Sequence, residues 1–184
     1  NIFTGYNRMY YENIIFLRKL LSRKKNLLIR ATVPENSIND INKNSCHIIS
    51  ILYSLFGHIK TNKIIKNKNY IICYMSCKQG EIVIFLNFKS SENTEIKIND
   101  EKKIYTLSPL EKLTIYNKII IKNNNGVNSY HPNIQKVKIE NMNFKPGFDK
   151  QYKEFKKFIK GKALPKANIA DSKEIIKLCN KIVG

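Results

Sequence analysis

The residues with the clearest chemical potential lie in the segment 44–47 (NSCH), directly before an apolar run. His47, Ile51 and Leu55 recur at helical spacing, and Gly57 stands where a glycine cap would end the helix. The segment therefore predicts a helix whose buried face begins with a histidine. An imidazole there can carry a proton, because its ordinary pKa is the one nearest neutrality. The alternative is a core histidine hydrogen-bonded to the backbone, and spacing alone leaves both interpretations open.

Length and composition predict one folded domain over residues 1–184. The 184 residues are 42% hydrophobic and 10% aromatic, which is enough for one substantial core. A net charge of +19 and a pI near 9.8 would suit nucleic acid or an anionic membrane. The lysines are spread among many Asn and Ile residues, as an AT-rich coding sequence favours, with no block of five basic residues. We therefore predict no nucleic-acid or membrane partner, and we expect the charge to attract an anionic substrate.

The cysteines do not predict a metal site or a disulfide. Cys73 and Cys77 lie four residues apart in a predicted strand, hence about 13 Å apart, which is too far for a bond or a shared zinc ion. Isolated thiols are typical of a reducing compartment, so we expect a cytoplasmic protein without a metal. The longest apolar runs are far shorter than a membrane span.

The first third of the chain predicts a helix and then a strand. Residues 2–4 have the pattern of a strand end. A helix follows, with one apolar face formed by Tyr10, Ile14, Leu17 and Leu21. Residues 27–33 predict a strand that Pro34 ends, and residues 35–43 predict a polar loop.

The middle of the chain predicts a sheet. Short apolar stretches separated by turn residues indicate strands over 70–75, 81–88, 94–98, 103–107, 112–116, 119–121 and 134–139. Because no helices intervene, the pattern favours an antiparallel sheet. Residues 82–86 are apolar on both faces, which predicts a central strand covered on both sides. Helices would cover one face, and a partner subunit is the economical cover for the other.

The last third returns to helical spacing. After Pro146 and Gly147, a stripe assigned to core packing contains Phe148, Tyr152, Phe155, Phe158 and Ile159. Residues 171–174 predict a capping box for a final helix whose buried face is Ile175, Leu178, Cys179 and Ile182. The sequence thus predicts an α+β fold, with a large, predominantly antiparallel open sheet and four helices packed on one face.

Four segments in order resemble the C-terminal domain of the glucose-fructose oxidoreductase and inositol dehydrogenase family. They are residues 5–11 (GYNRMYY), 44–47 with 55–57 (LFG), 107–112 (LSPLEK), and 144–148 (FKPGF) with Gln151 and Phe155. They are most similar to the branch associated with bacterial surface-sugar synthesis. The resemblance implies an N-terminal Rossmann domain that is absent from this chain. The seven glycines are all isolated, so the chain contains no glycine-rich phosphate turn of its own.

The resemblance implies the substrate-binding and oligomerisation domain of an NAD(P)-dependent oxidoreductase acting on a sugar or nucleotide sugar. NAD or NADP would be bound mainly by the absent domain, and the sheet would form a homo-oligomer interface. His47 would be the catalytic proton carrier, since an alcohol releases hydride only as its proton leaves. Lys43, Asn44 and Lys145 would bind the substrate. Tyr6, Asn7 and Arg8 would lie at the domain junction on the cofactor side.

Two positions depart from the family pattern. Many members have a carboxylate four residues before the histidine and an aspartate three residues after it, where this chain has Lys43 and Ser50. A nearby ammonium would lower the pKa of His47. Whether the chain is part of an enzyme therefore stays open, with a non-catalytic dimerisation or ligand-binding scaffold as the alternative and a basic nucleic-acid-binding protein as a further one.

Structural interpretations of the same residues also stay open. Arg8, Lys43 and Lys145 can be solvated surface charges. Asn44 and Ser45 can cap the helix that carries His47.

Overall fold

The computed structural model describes residues 5–162 and 168–184 of the chain. The α-helices in this part are α1 (Glu12–Leu21), α2 (Cys46–Phe56), α3 (Phe148–Ile159) and α4 (Ile169–Val183). The strands are β1 (Leu27–Glu35), β2 (Lys60–Lys66), β3 (Tyr70–Cys77), β4 (Gly80–Phe88), β5 (Glu95–Asn99), β6 (Ile104–Leu107), β7 (Lys112–Asn124) and β8 (Val127–Ile139). A 3₁₀ helix, Asn7–Tyr10, precedes α1.

The strands form one open sheet with the order β2-β3-β4-β1-β5-β6-β7-β8. Strand β1 lies between two meanders, parallel to β4 and antiparallel to β5. Every other neighbouring pair is antiparallel. The predicted α+β class with a predominantly antiparallel open sheet is therefore confirmed.

One face of the sheet carries the core. Alternate residues of β1 are buried, beginning with Leu27 and Ile29, whereas Leu28 and Arg30 are exposed. Apolar residues of α1, α2 and α4 join the buried strand residues in a single cluster. Helix α3 contributes only Gln151 to the buried residues. Three helices thus cover the sheet, while α3 lies beside them.

The N-terminus of α1 is capped by a residue distant in sequence. The buried carboxylate of Glu140 accepts hydrogen bonds from the backbone N–H groups of Glu12 and Asn13, at 3.1 and 2.6 Å. These N–H groups have no partner within a helix, and a negative charge is favourable at that end. Glu140 thereby joins the end of β8 to the start of α1.

The predicted strands are confirmed in order, with three corrections. Strand β2 was not predicted, because it is a mostly exposed, lysine-rich edge strand with little apolar alternation. The segments 112–116 and 119–121 form the single strand β7, whose pairing register shifts near Tyr116. Strand β8 begins at Val127 instead of residue 134, and its Pro132 is tolerated because β8 is an edge strand.

The predicted end of β1 and the loop after it were wrong. The strand continues through Pro34 to Glu35, beyond the last residue paired with β5, which is Thr32. A proline, which has no backbone N–H, is tolerated at this position because β1 no longer pairs with β5 there. The expected loop instead contains a 3₁₀ turn, Ile38–Asp40, and a π-helical turn, Ile41–Ser45, that leads directly into α2.

The helix predictions hold except at three points. Tyr10, which was predicted on the apolar face of the first helix, lies in the separate 3₁₀ helix, because α1 begins only at Glu12. Gly57 ends α2 with a φ of 73°, as predicted. Helix α4 buries the predicted residues, but its cap is Asn168, whose side chain accepts from the Asp171 N–H, and not the box over 171–174. The α3 stripe is not packed in the core, since Tyr152 is 55% and Ile159 62% exposed. The strand end predicted over 2–4 lies outside the described residues.

The second face of the sheet is only partly covered within this chain. The central position of β4 is confirmed, with Ile82, Ile84 and Leu86 buried, but Val83 and Phe85 on its other face are only half-buried. The four cysteines are free thiols. Across residues 5–162 and 168–184, none of the helices combines the length and apolar character that a membrane crossing requires.

Candidate functional site

His47 is the second residue of α2 and is half-buried. Its Nδ1 atom is enclosed and has no hydrogen-bond partner among the described residues. A core histidine satisfied by the backbone would pair this atom, so the geometry does not match the core-histidine interpretation.

The ring of Tyr6 packs edge-on against this imidazole. The two ring centroids lie 5.9 Å apart, and the ring planes meet at 84°. Burial, with smaller effects of Cys46 and Cys179, raises the pKa of Tyr6 to about 12. The phenol therefore stays protonated near neutral pH and acts as a hydrogen-bond donor instead of a base.

Two cations act on His47 from outside α2. Burial lowers the pKa of His47, and the positive charges of Arg8 and Lys145 lower it further. The predicted downward direction of the His47 pKa shift is therefore found, but its charged causes are Arg8 and Lys145 and not Lys43, from which it was expected. The side chain of Lys145 is held with its Nζ 5.2 Å from the centroid of the Phe148 ring. The structure thus brings three sequence-predicted residues, Tyr6, Arg8 and Lys145, to His47.

Asn7 holds the two cation-bearing segments together. Its side-chain amide donates to the backbone oxygen of Pro146 at 3.2 Å. Gly147 follows with a φ of 82°, and a Cβ atom there would lie 2.2 Å from the Asn7 oxygen. Only glycine fits this close approach without moving the backbone. Asn7 is buried in this joint, and its expected place on the cofactor side stays a prediction.

Lys43 and Asn44 have partners of their own. The exposed Lys43 ammonium lies 3.6 Å from the Asp40 carboxylate. Asn44 donates from Nδ2 to Oε2 of Glu35 at 3.1 Å. Ser45 occupies the N-cap position of α2 but makes no side-chain capping bond, and its hydroxyl donates to Glu35. The capping interpretation of Asn44 and Ser45 was therefore wrong.

Glu35 is the residue that sequence reasoning missed. Its carboxylate is buried at the end of β1 and binds both residues that precede the helix of His47. The only sequence signal is an acidic residue directly after a predicted strand, which more often indicates a solvated loop. Its burial depends on partners nine and ten residues away that the sequence pattern does not identify.

Lys145 also lines a cavity of about 300 Å³. The lining of this cavity further includes Glu12, Glu140, Phe144 and Lys150, and His47 is not part of it. Within the described ranges, no group of three or more His, Cys, Asp or Glu side chains could hold a metal ion.

Comparison with known proteins gives a result for the fold but not for the sequence. No family model matches the chain, and no curated protein matches it. A dehydrogenase, MviM, from Clostridium difficile matches in structure with a TM-score of 0.70 and 15% identity, over 98% of this chain and 61% of its own. An oxidoreductase from Thermotoga maritima gives 0.71 and 9%, over 100% and 60%. This chain shares its fold with oxidoreductases.

A further neighbour has a more specific name. UDP-N-acetylglucosamine 3-dehydrogenase from Acidithiobacillus ferrooxidans matches with a TM-score of 0.65 and 11% identity, over 97% of this chain and 60% of its own. The chain thus spans about 60% of the length of these structures. The fold expected from the family resemblance is confirmed.

The described residues do not fit a dinucleotide on their own. A dinucleotide fold needs successive parallel strands joined by helices, with a glycine-rich turn at the phosphates. Here the one parallel pair of the described sheet is β1 with β4, and the glycines stand singly.

Proposed function

We propose that this chain is the substrate-binding part of an NAD(P)-dependent oxidoreductase of the glucose-fructose oxidoreductase and inositol dehydrogenase family, acting on a sugar or nucleotide sugar. The observation that carries the proposal is the half-buried His47, whose Nδ1 has no partner among residues 5–162 and 168–184 and which Tyr6, Arg8 and Lys145 influence within an oxidoreductase fold. The branch linked to surface-sugar synthesis belongs to the same proposal.

His47 takes the proton of the reacting hydroxyl. Its lowered pKa keeps the imidazole neutral near pH 7, which is the form that can accept a proton. The half-buried position limits competing water, and the Tyr6 ring holds the imidazole from the side. The nicotinamide, held by another part of the protein, supplies the hydride acceptor when bound.

The substrate class follows from the charges at the site. Arg8 and Lys145 place two positive groups beside a neutral imidazole, which favours a ligand with an anionic group near the reacting carbon. A nucleotide sugar carries such a group in its diphosphate. The name of the Acidithiobacillus neighbour, a UDP-N-acetylglucosamine dehydrogenase, supports this choice.

A cofactor-binding domain is the proposed cover of the α3 stripe. Phe144, Phe148 and Tyr152 are exposed on one continuous surface that begins beside Lys145. An apolar surface of this kind usually marks an interface. About 40% of the length of the Thermotoga neighbour lies outside the part that matches, since the match covers 60% of that chain. An N-terminal Rossmann domain seated here would bring a nicotinamide to His47.

The sheet is the proposed homo-oligomer interface. Its outer face has half-buried Val83 and Phe85 at the centre, with exposed Leu28 and Tyr74 on the neighbouring strands. A second copy facing this surface would bury the same residues on both subunits. A cytoplasmic location, with no nucleic-acid or membrane partner, stays part of the prediction.

A non-catalytic scaffold is the second candidate, and one observation favours it. Lys43 and Ser50 stand at the two positions where many family members have a carboxylate. Lys43 pairs with Asp40, and the Ser50 hydroxyl donates to the backbone oxygen of His47 at 2.7 Å. Neither position therefore supplies a carboxylate to the imidazole. A carboxylate would raise the basicity of the histidine. A chain lacking it could bind a sugar without turning it over.

Ligand binding tests the shared part of both candidates. We would titrate the ¹⁵N-labelled protein with UDP-N-acetylglucosamine, UDP and N-acetylglucosamine while following NMR signals of Tyr6, Arg8 and His47. The proposal predicts saturable shifts with the UDP-sugar, and weaker binding by an Arg8→Met variant. Arg23→Met, which removes an exposed arginine in the turn after α1, is the matched control. Equal shifts with both variants, or none with any ligand, would contradict a nucleotide-sugar site.

A further inference from the structure

We propose that Glu35 is a positioning residue for His47, tying the turn that begins α2 to the end of β1. The inference rests on the proposed role of His47 as the proton carrier. It concerns how the chain holds the imidazole in place, and it assigns a role to the buried carboxylate that the chemistry does not use.

Glu35 is fixed from the strand side. It is the last residue of β1 and only 4% exposed. Its backbone oxygen accepts a hydrogen bond from the Lys89 N–H at 2.7 Å. Its position is therefore set by the sheet before its side chain makes any contact.

The Glu35 carboxylate in turn holds the two residues at the start of α2. One oxygen accepts from the Ser45 hydroxyl, and the other accepts from Asn44 Nδ2 at 3.1 Å. Ser45 is itself buried. A buried carboxylate whose two oxygens are both paired is a strong, directional anchor.

The turn that Glu35 binds is one that needs support. Residues Ile41–Ser45 form a π-helical turn, a geometry that is rare and often found at functional sites. Helix α2 has no side-chain cap of its own. Ile41 is buried at one end of the turn and Glu35 clamps the other, two residues before His47. The clamp therefore sets where the helix begins and where its second residue points.

The pKa of His47 is the property that should change if Glu35 no longer holds the turn before α2. The groups that face it are Tyr6 and Arg8 from the 3₁₀ helix and Lys145 from the segment before α3, with Cys46 next to it in α2. Burial is the largest cause of its lowered pKa. If the turn relaxes, water reaches Nδ1, and the pKa of His47 rises toward its ordinary value.

The test is a pH titration of the histidine ring signals by NMR, which needs no substrate. We would compare wild type with Glu35→Ala, Glu35→Gln and Ser45→Ala, assigning His47 from a His47→Asn variant. Glu140→Ala is the matched control. Glu140 is also a buried glutamate whose carboxylate accepts two hydrogen bonds, but it does so at the start of α1 and not at the turn before α2. Exposed His58 and His131 give internal reference signals.

We expect an upward shift of the His47 titration in Glu35→Ala, a smaller one in Ser45→Ala, and none in Glu35→Gln or Glu140→Ala. Glutamine can keep both contacts without the charge, because its amide oxygen can accept from Asn44 and its amide nitrogen can donate to the Ser45 hydroxyl; rescue by it therefore separates positioning from electrostatics. A downward shift in Glu35→Gln, or equal shifts in the Glu35 and Glu140 variants, would overturn the proposal. Should Glu35→Ala not fold, Ser45→Ala and Glu35→Gln decide the outcome. None of these results bears on whether the protein turns over a sugar, so failure here is distinguishable from failure of the proposed function.

Discussion

The rings of Tyr6 and His47 stand nearly perpendicular, with their centroids 5.9 Å apart. Tyr6 directly precedes the 3₁₀ helix Asn7–Tyr10, so this contact links that helix to the first turn of α2. Arg8 is carried on the same 3₁₀ helix, and Asn7 joins it to the segment of Lys145. The site is therefore assembled from three segments that are far apart in sequence.

Removing the positive charge with the larger effect on His47 should change the titration of the imidazole. Arg8→Met is expected to raise the pKa of His47, because the positive charge of Arg8 disfavours the imidazolium. Histidine ring signals followed by NMR against pH measure this directly. Arg23→Met should leave the His47 titration unchanged, and a matching shift in that control would show that the effect is not local.

The lowered pKa of His47 also predicts how stability depends on pH. The ordinary value is 6.5, and the folded value lies below it. Between the two, the unfolded chain binds more protons than the folded one, so the free energy of unfolding falls as the pH falls from 6.5 toward the folded pKa. Urea unfolding across this range should show a weaker fall in His47→Asn than in wild type. Identical slopes would contradict the buried, neutral imidazole.

The joint between Asn7 and Gly147 predicts a contrast between two glycines. Gly147→Ala should cost more than about 2 kcal/mol, since it combines a positive φ with a Cβ placed 2.2 Å from the Asn7 oxygen. Gly161→Ala has a similar φ of 67° but open space around it, so about 1 kcal/mol is expected. Urea denaturation gives both values. Equal costs would show that the close approach does not matter.

The exposed stripe of α3 predicts tolerance where the sequence pattern suggested a core. Tyr152→Ser should change the free energy of unfolding by less than about 0.5 kcal/mol, because the side chain is 55% exposed. Leu17→Ala in the fully buried face of α1 should cost about 2–5 kcal/mol. Thermal or urea unfolding of this chain compares them. A large loss in Tyr152→Ser would place the stripe in the core after all.

The elements with strong periodicity could be predicted from sequence. Helix α2 follows from its apolar spacing and from Gly57, and the central strand β4 follows from its continuous apolar run. Strand β2 could not, since an edge strand needs little apolar surface. The α3 stripe shows a further limit: periodicity identifies an apolar face, but it does not identify what covers that face.

The candidate site was predictable only in part. His47 stood out by residue type and spacing, and the family resemblance supplied Tyr6, Arg8 and Lys145. Glu35 could not be found, because a carboxylate is buried only when tertiary contacts provide its donors. The roles of Lys43 and Asn44 as partners of Asp40 and Glu35 likewise depend on how the turn before α2 folds.

The most direct test of the central claim is sugar-dependent reduction of NAD or NADP by the protein encoded by the complete reading frame. We would follow absorbance of the reduced cofactor with a panel of nucleotide sugars, comparing wild type, His47→Asn and the exposed-site control His58→Asn. The account predicts turnover by wild type and the control, and a rate about 10²–10⁴-fold lower in His47→Asn. Turnover that survives the loss of His47, or no turnover with any nucleotide sugar or free sugar, would contradict it.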